Sequence, residues 1–240
     1  MTDLNQLEPR IAIATATEKA GELDTCGSVR LAGALEPGTA DLLRRHLCDE
    51  LPWNLTLSQS GKVWDASVEQ QQALGEKRIA AMALAGDEKQ LKFNFDIVRT
   101  ENSLDGRRAR DLLLDRLAEA WTSPSSMTIW RALLRRDDIT GLDMMASRYR
   151  PGHFLAAHDD GQIPERVAAF VLSLSPRWLV DWGGLLHLLG ERGEVEQTIV
   201  PQFNSLSVFR VPRPHSVSMV TPLATEPRLA ITGWLLAAAA

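Results

Sequence analysis

Apolar and polar positions follow one rhythm up to about residue 140 and another beyond it. In the first stretch the dominant period is helical. GTADLLRRHLCDEL sets Leu42, Leu43, Leu47 and Leu51 on one helical face, with Thr39 as the expected cap. DGRRARDLLLDRLAEAW reads as a second amphipathic helix, and SPSSMTIWRALLRR as a third, started by Ser123 with Pro124 in its first turn. VEQQQALGEKRIAAMALAGDEK favours helix but is broken by Gly75 and Gly86, so a mobile loop is expected there. VRLAGALEP, WNLTLS and KFNFDIVR read as strands between these helices. Residues 1–27 are polar and alanine-rich without firm periodicity, which predicts a loosely packed arm.

From LDMMASRYR onward, short apolar runs are separated by Gly, Pro and Asn. RVAAFVLSLS, GGLLHLLG, TIVPQF, NSLSVFRV, HSVSMVTPLA and PRLAITGWLL have the rhythm of a jelly roll. Several are apolar on both faces, so both faces are expected to be covered, one lining a pocket and the other packing on the helices. The expected fold is α+β, mainly β: a double-stranded β-helix (jelly roll) over residues 141–237, with residues 28–140 as helical support on its major sheet. Residues 28–240 then form a single domain, since no internal repeat or linker divides them. Gly183-Gly184 and Asn204-Ser205 read as turns.

Composition narrows the class. At 45% hydrophobic and 24% charged the 240-residue chain is globular. Its net charge of −5, with no basic stripe, argues against a nucleic-acid partner. No apolar run reaches the roughly 18 residues of a membrane span. MTDLNQLEPR carries acidic residues and no apolar core, so it does not read as a signal peptide, and the cytoplasm is the expected location. Cys26 and Cys48 are expected to be free, buried thiols.

Chemistry concentrates near the C-terminal end. His158 and Asp160 in AAHDDG, with His215 in RPHSV, make a set of two histidines and one carboxylate, the ligand types of the facial triad that holds non-haem Fe(II) with open positions. In an extended segment residues i and i+2 point the same way, so His158 and Asp160 can grip one ion while Asp159, the rival ligand, turns away. His215 lies far enough downstream to come from a neighbouring strand. Arg228 follows it by about a hairpin and offers the planar fork that binds a carboxylate through two hydrogen bonds. Thr232 and Trp234 share the Arg228 face by i, i+2, i+4 counting and are expected to line the same pocket. A zinc hydrolase could use the same ligands but would leave Arg228 unexplained.

RYRPGHFLAAHDDG, DWGGLLHLLG, PQFNSLSVFRVPRPHSV and PRLAITGWLL resemble the prolyl-4-hydroxylase-type branch of the 2-oxoglutarate and Fe(II)-dependent dioxygenases, continuously from about Leu142 to Leu236. HDD, DWGG and FNSL together are most similar to the group that includes the ribosomal-protein prolyl hydroxylases. The resemblance implies that His158, Asp160 and His215 bind Fe(II), that Arg228 holds the distal carboxylate of 2-oxoglutarate, and that Tyr149 hydrogen-bonds the same co-substrate. It further implies hydroxylation of a substrate carbon with dioxygen and decarboxylation to succinate, with ascorbate as an accessory reductant. The implied partner is a protein or peptide carrying the target prolyl residue, a ribosomal protein being one candidate. An oxygenase of small molecules or other side chains, and a non-catalytic iron and 2-oxoglutarate sensor, are the alternatives. Val171 stands where some relatives carry a second tyrosine. His187 is expected to be a packed or surface residue, His153 a loop or substrate contact, and His46 part of a wet helix face. Trp121, Trp130 and Trp182 fit core positions, while Trp53 and Trp64 flank a candidate substrate-covering segment.

Overall fold

Strand pairing in the computed structural model is antiparallel throughout the described residues, which are 3–59, 61–87 and 89–238. The outermost ends of the expected arm and domain, residues 1–2 and 239–240, lie outside them. The chain opens with helices α1 (Leu4–Leu7) and α2 (Ile13–Cys26), strand β1 (Ser28–Ala32) and helix α3 (Pro37–Asp49). A hairpin of β2 (Asn54–Gln59) and β3 (Lys62–Ala66) leads to helices α4 (Val68–Leu74) and α5 (Glu76–Leu84) and strand β4 (Phe93–Arg99). Helices α6 (Leu104–Arg110), α7 (Leu113–Trp121) and α8 (Pro124–Leu134) follow. Then come β5 (Ile139–Tyr149), β6 (Phe154–His158), β7 (Arg166–Ser173), β8 (Leu186–Leu189), β9 (Val195–Ile199), β10 (Ser205–Arg210), β11 (His215–Val217) and β12 (Arg228–Ala237).

The strands join in the order β1-β10-β7-β12-β5-β4-β6-β11-β8-β9, with β2 on β4 and β3 on β2. β4 is the corner: Asp96–Arg99 pair with β5, whereas Phe93 and Asn94 pair with β6. The sheet therefore curls into a larger and a smaller half, the double-stranded β-helix expected from the apolar rhythm. β12 shows why both faces had to be apolar. Its Leu229, Ile231 and Leu235 enter the core shared with the helices, alongside Trp121, Trp130 and Phe170, while Trp234 packs with the inner cluster around Tyr149, Phe209 and Leu188. A Cβ at Gly233 would stand 2.7 Å from the Phe170 ring and 1.9 Å from the Asp143 carbonyl oxygen, so only glycine lets these layers close. Truncating Phe170, 1% exposed, would cost about 3–5 kcal/mol.

Several sequence expectations need correction. The N-terminal stretch is no loose arm: α2 packs against α8, buries Ala16, Ala20 and Leu23, and ends at Gly27 in the left-handed region (φ 69°). Its contact stripe is mostly alanine, which allows close helix approach but gives weak periodicity. The helix expected over 105–121 is two helices, because the chain turns through Asp111 at φ 49°. That turn lets Arg110 grip the fully buried Asp115 through Nε and Nη2, both at 2.6 Å, while the Glu101 amide donates to the same carboxylate at 3.0 Å. Glu36, not Thr39, caps α3, its carboxylate accepting from the Gly38 and Thr39 amides; the Thr39 hydroxyl donates to the Gln6 carbonyl. His46 is buried, not wet, with Nδ1 2.8 Å from Glu50 one turn on. Both cysteines are free but exposed.

Candidate functional site

His158 is the last residue of β6 and His215 the first of β11, and the two are register partners. The strand pairing alone brings their rings to 4.1 Å between centroids. Asp160 arrives differently from expectation. It sits beyond the strand at φ 61°, so a left-handed kink, not strand alternation, turns its carboxylate back onto the histidines. Asp159 faces solvent, and its carboxylate accepts from the Gly161 amide at 3.0 Å. The kink is pinned by the Arg213 amide, which donates to the Asp159 carbonyl at 3.1 Å.

The three side chains offer ligand atoms within 4.8 Å of one another. His158 Nε2 is 3.6 Å from Asp160 Oδ1, and His215 Nε2 is 3.5 Å from Asp160 Oδ2, too long for good N–H···O hydrogen bonds. The other ring nitrogen of each histidine faces a backbone carbonyl: His158 Nδ1 to Ala156 at 3.0 Å and His215 Nδ1 to Arg213 at 2.8 Å. A carbonyl only accepts, so Nδ1 carries the hydrogen and Nε2 keeps its lone pair for a metal. Burial, and then the neighbouring His158, pushes the His215 pKa down to about 4, so its ring is neutral near pH 7. Two lone-pair nitrogens and a carboxylate oxygen, all converging, fit a divalent metal.

Asp160 is held from its other side. The Trp234 indole N–H donates to Oδ2 at 2.8 Å, and the Arg166 guanidinium lies 3.4 Å above the Trp234 ring with Nη1 3.7 Å from Oδ1. The Arg166 Nε has no hydrogen-bond partner among the described residues. Burial lowers the Arg166 pKa, partly opposed by Asp160 and Asp143. Trp234, expected among the co-substrate contacts, thus reaches the ligand carboxylate itself. Sequence reading passed over Arg166; its signal was an arginine opening an otherwise apolar strand, RVAAFVLS.

Arg228 opens β12 directly opposite Tyr149. It is 3% exposed and lies 5.2 Å from the Tyr149 ring, which stacks on Phe95 at 4.9 Å. Among the described residues no carboxylate pairs with it, and its Nε has no partner. Burial lowers the Arg228 pKa and raises that of the Tyr149 phenol. An unpaired, desolvated guanidinium calls for an anion. Ser173, also passed over in the sequence, puts another unpartnered buried hydroxyl on the same hollow, beside Ser207 and Val171. Thr232 lies between Met145 and Val171 on the neighbouring strands, on the Arg228 side of β12.

The remaining candidates lie elsewhere. His187 Nδ1 is 3.0 Å from the Thr198 hydroxyl on the outer hairpin. Trp53 is buried in the helix-side core with its indole N–H on the Leu47 carbonyl at 3.0 Å, and is no part of a substrate cover. Trp64 packs against the small cluster of Leu55, Leu57 and Ile79. His153 is buried where β6 begins, and burial pushes its pKa down to about 4.

Residues 144–236 match the model of the 2OG-Fe(II) oxygenase superfamily. Prolyl 3-hydroxylase OGFOD1 of Xenopus laevis is 33% identical over 100 residues, which are 39% of this chain and 19% of that protein. The match therefore spans about a fifth of the length of the curated relative. A prolyl-4-hydroxylase of Pseudomonas putida superposes with a TM-score of 0.52 at 20% identity, covering 93% of this chain and 100% of the other. A prolyl hydroxylase of Trichoplax adhaerens, solved in complex with a hypoxia inducible factor peptide fragment, gives 0.60 at 20% identity, covering 93% and 90%. At these identities the solved structures establish the fold. No helix among the described residues is long and apolar enough to cross a membrane.

Proposed function

We propose that this chain, whose residues 144–236 are a segment of the 2OG-Fe(II) oxygenase superfamily, is an Fe(II)- and 2-oxoglutarate-dependent dioxygenase that hydroxylates a prolyl residue of a protein or peptide. The observation that carries it is the pairing of two features in one curled sheet: the converging His158, Asp160 and His215, and the buried Arg228 that meets no carboxylate among the described residues. Fe(II) with 2-oxoglutarate and dioxygen supplies oxidising chemistry that ends in succinate, carbon dioxide and a hydroxylated carbon. The protein's part is to bind, orient and exclude water. His158 and His215 present Nε2 lone pairs fixed by their Nδ1 contacts, and Asp160 presents a carboxylate oriented by Trp234. Arg228 takes the distal carboxylate of 2-oxoglutarate, with Tyr149 and Ser173 as polar neighbours and Thr232 on the same face. Residues 28–140 support this core as one domain with it.

The prolyl target rests on the similarity to the prolyl 3-hydroxylase, while a ribosomal protein as its carrier and a cytoplasmic location rest on the sequence resemblance and composition alone. Mass spectrometry of cell proteins with the wild-type chain and with His215→Ala tests this directly. A gain of one oxygen on a prolyl residue, present only with the wild type, is expected. Oxygen gained only on other side chains or on small molecules would replace the prolyl assignment, and succinate formed without any oxygenated product would remove it.

A further inference from the structure

β6 carries His158 at one end, and at its other end a cleft of about 830 Å³ opens between α4–α5 and the outer face of β4 and β5. Strand alternation separates this cleft from the metal-side pocket. Phe95 and Tyr149 stack on the inner face, so Asn94, Asp96 and Arg148 point the opposite way. The Arg148 guanidinium lies 4.7 Å over the Trp53 ring, in the helix-side core.

The floor of the cleft is rich in donors. Asp96, 1% exposed, accepts from Arg148 Nε at 2.8 Å and from Arg150 Nε and Nη2 at 2.8 and 3.0 Å. One carboxylate between two guanidiniums leaves one positive charge uncompensated on the floor itself, while Glu76, Lys77 and Glu226 line the cleft elsewhere. The terminal nitrogens of Arg148 have no hydrogen-bond partner among the described residues. Asn94 is 4% exposed, its amide oxygen is sealed without a partner, and its nitrogen donates to no described residue. His153 adds no charge, being held neutral by burial with Nδ1 3.4 Å from the Arg148 carbonyl. The walls are apolar where Leu55, Val68 and Ile79 face the opening. Among the described residues the side-chain hydrogen bond from α4 to the floor is a long one, Arg150 Nη2 to Gln71 Oε1 at 3.5 Å, and α4 meets α5 at Gly75 with φ 74°.

We propose that this cleft is a second binding site, for a small free monocarboxylic acid with an apolar body. Arg148, Arg150 and Asn94 take its carboxylate, and Leu55, Val68 and Ile79 take its hydrocarbon part. Two guanidiniums on one carboxylate, with Glu76 and Glu226 elsewhere on the lining, suit one ligand carboxylate better than a dianion, and guanidinium donors suit its planar shape. Nothing in this assignment depends on what the His158–Asp160–His215 group does.

Calorimetric titration of the full chain with hexanoate and 3-phenylpropionate, with and without Fe(II) and 2-oxoglutarate, tests it. Saturable one-site binding is expected, at least roughly tenfold weaker in Arg150→Ala, where Asp96 keeps Arg148 as partner. Ala80→Trp projects an indole into the cleft without removing the ion pairs, so it should weaken binding while leaving the thermal melt and 2-oxoglutarate affinity unchanged. The absence of saturable binding of either acid at millimolar concentration would overturn the proposal. So would binding that survives both substitutions, or equal binding of hexylammonium.

Discussion

Asp96 and Arg228 are both buried charges in one curled sheet, and the fold treats them in opposite ways. Asp96 is enclosed by two guanidiniums, whereas among the described residues Arg228 has neither a carboxylate nor a partner for its Nε. A buried charge costs several kcal/mol unless something pairs with it. Asp96 has that pairing from within the chain, so its own charge needs no ligand. Arg228 meets no such charge among the described residues, which is what its proposed role in binding a carboxylate requires.

Substitutions should separate the two. Asp96→Ala leaves two guanidiniums facing each other and should lower unfolding stability by about 3 kcal/mol, the low end for a broken buried pair because both arginines can turn towards water. A loss under about 1 kcal/mol in a denaturant titration, the range of surface pairs, would erase the contrast. Arg228→Met should instead weaken 2-oxoglutarate roughly hundredfold, about 2.7 kcal/mol. The stability of the ligand-free chain should not fall, since a buried charge has been removed. Unchanged 2-oxoglutarate affinity would return Arg228 to a structural role.

Acid sharpens the comparison next. His153, beside the Asp96 cluster, has a folded pKa near 4 against an ordinary 6.5. The unfolded chain binds its proton first as pH falls, so stability is retained above about 6.5 and lost progressively down to about 4. Between pH 7 and pH 5 that loss should be about 2 kcal/mol, and His153→Gln should flatten the profile by that amount. An unaltered profile would show that the acid sensitivity lies elsewhere. Smallest is Trp234→Phe, which deletes the indole donor to Asp160 and should weaken metal binding about tenfold, about 1.4 kcal/mol, in a competition titration. Wild-type affinity in that variant would mean that Asp160 needs no such support.

The sequence marked which residue types converge at this site better than how they do so. Histidine and carboxylate types, together with an arginine in the final strand, were legible because few other jobs need that set. The way Asp160 reaches the histidines was not, since a left-handed residue after a strand leaves no trace in apolar periodicity. Arg166 and Ser173 were missed for a related reason: they are the polar ends of one otherwise apolar strand, and only the curl of the sheet shows which face each occupies. Among the elements, strands apolar on both faces were plain, while α2 was hidden by its alanines and the α6–α7 break by a distant demand, the burial of Asp115.

The most direct test of the proposed centre is optical. Adding Fe(II) and 2-oxoglutarate to the chain without oxygen should produce the weak visible charge-transfer band of a chelated keto acid. His158→Ala, Asp160→Ala and His215→Ala should each abolish it. No band in the wild type, or an undiminished band in any of the three variants, would contradict a single ferrous centre held by these residues.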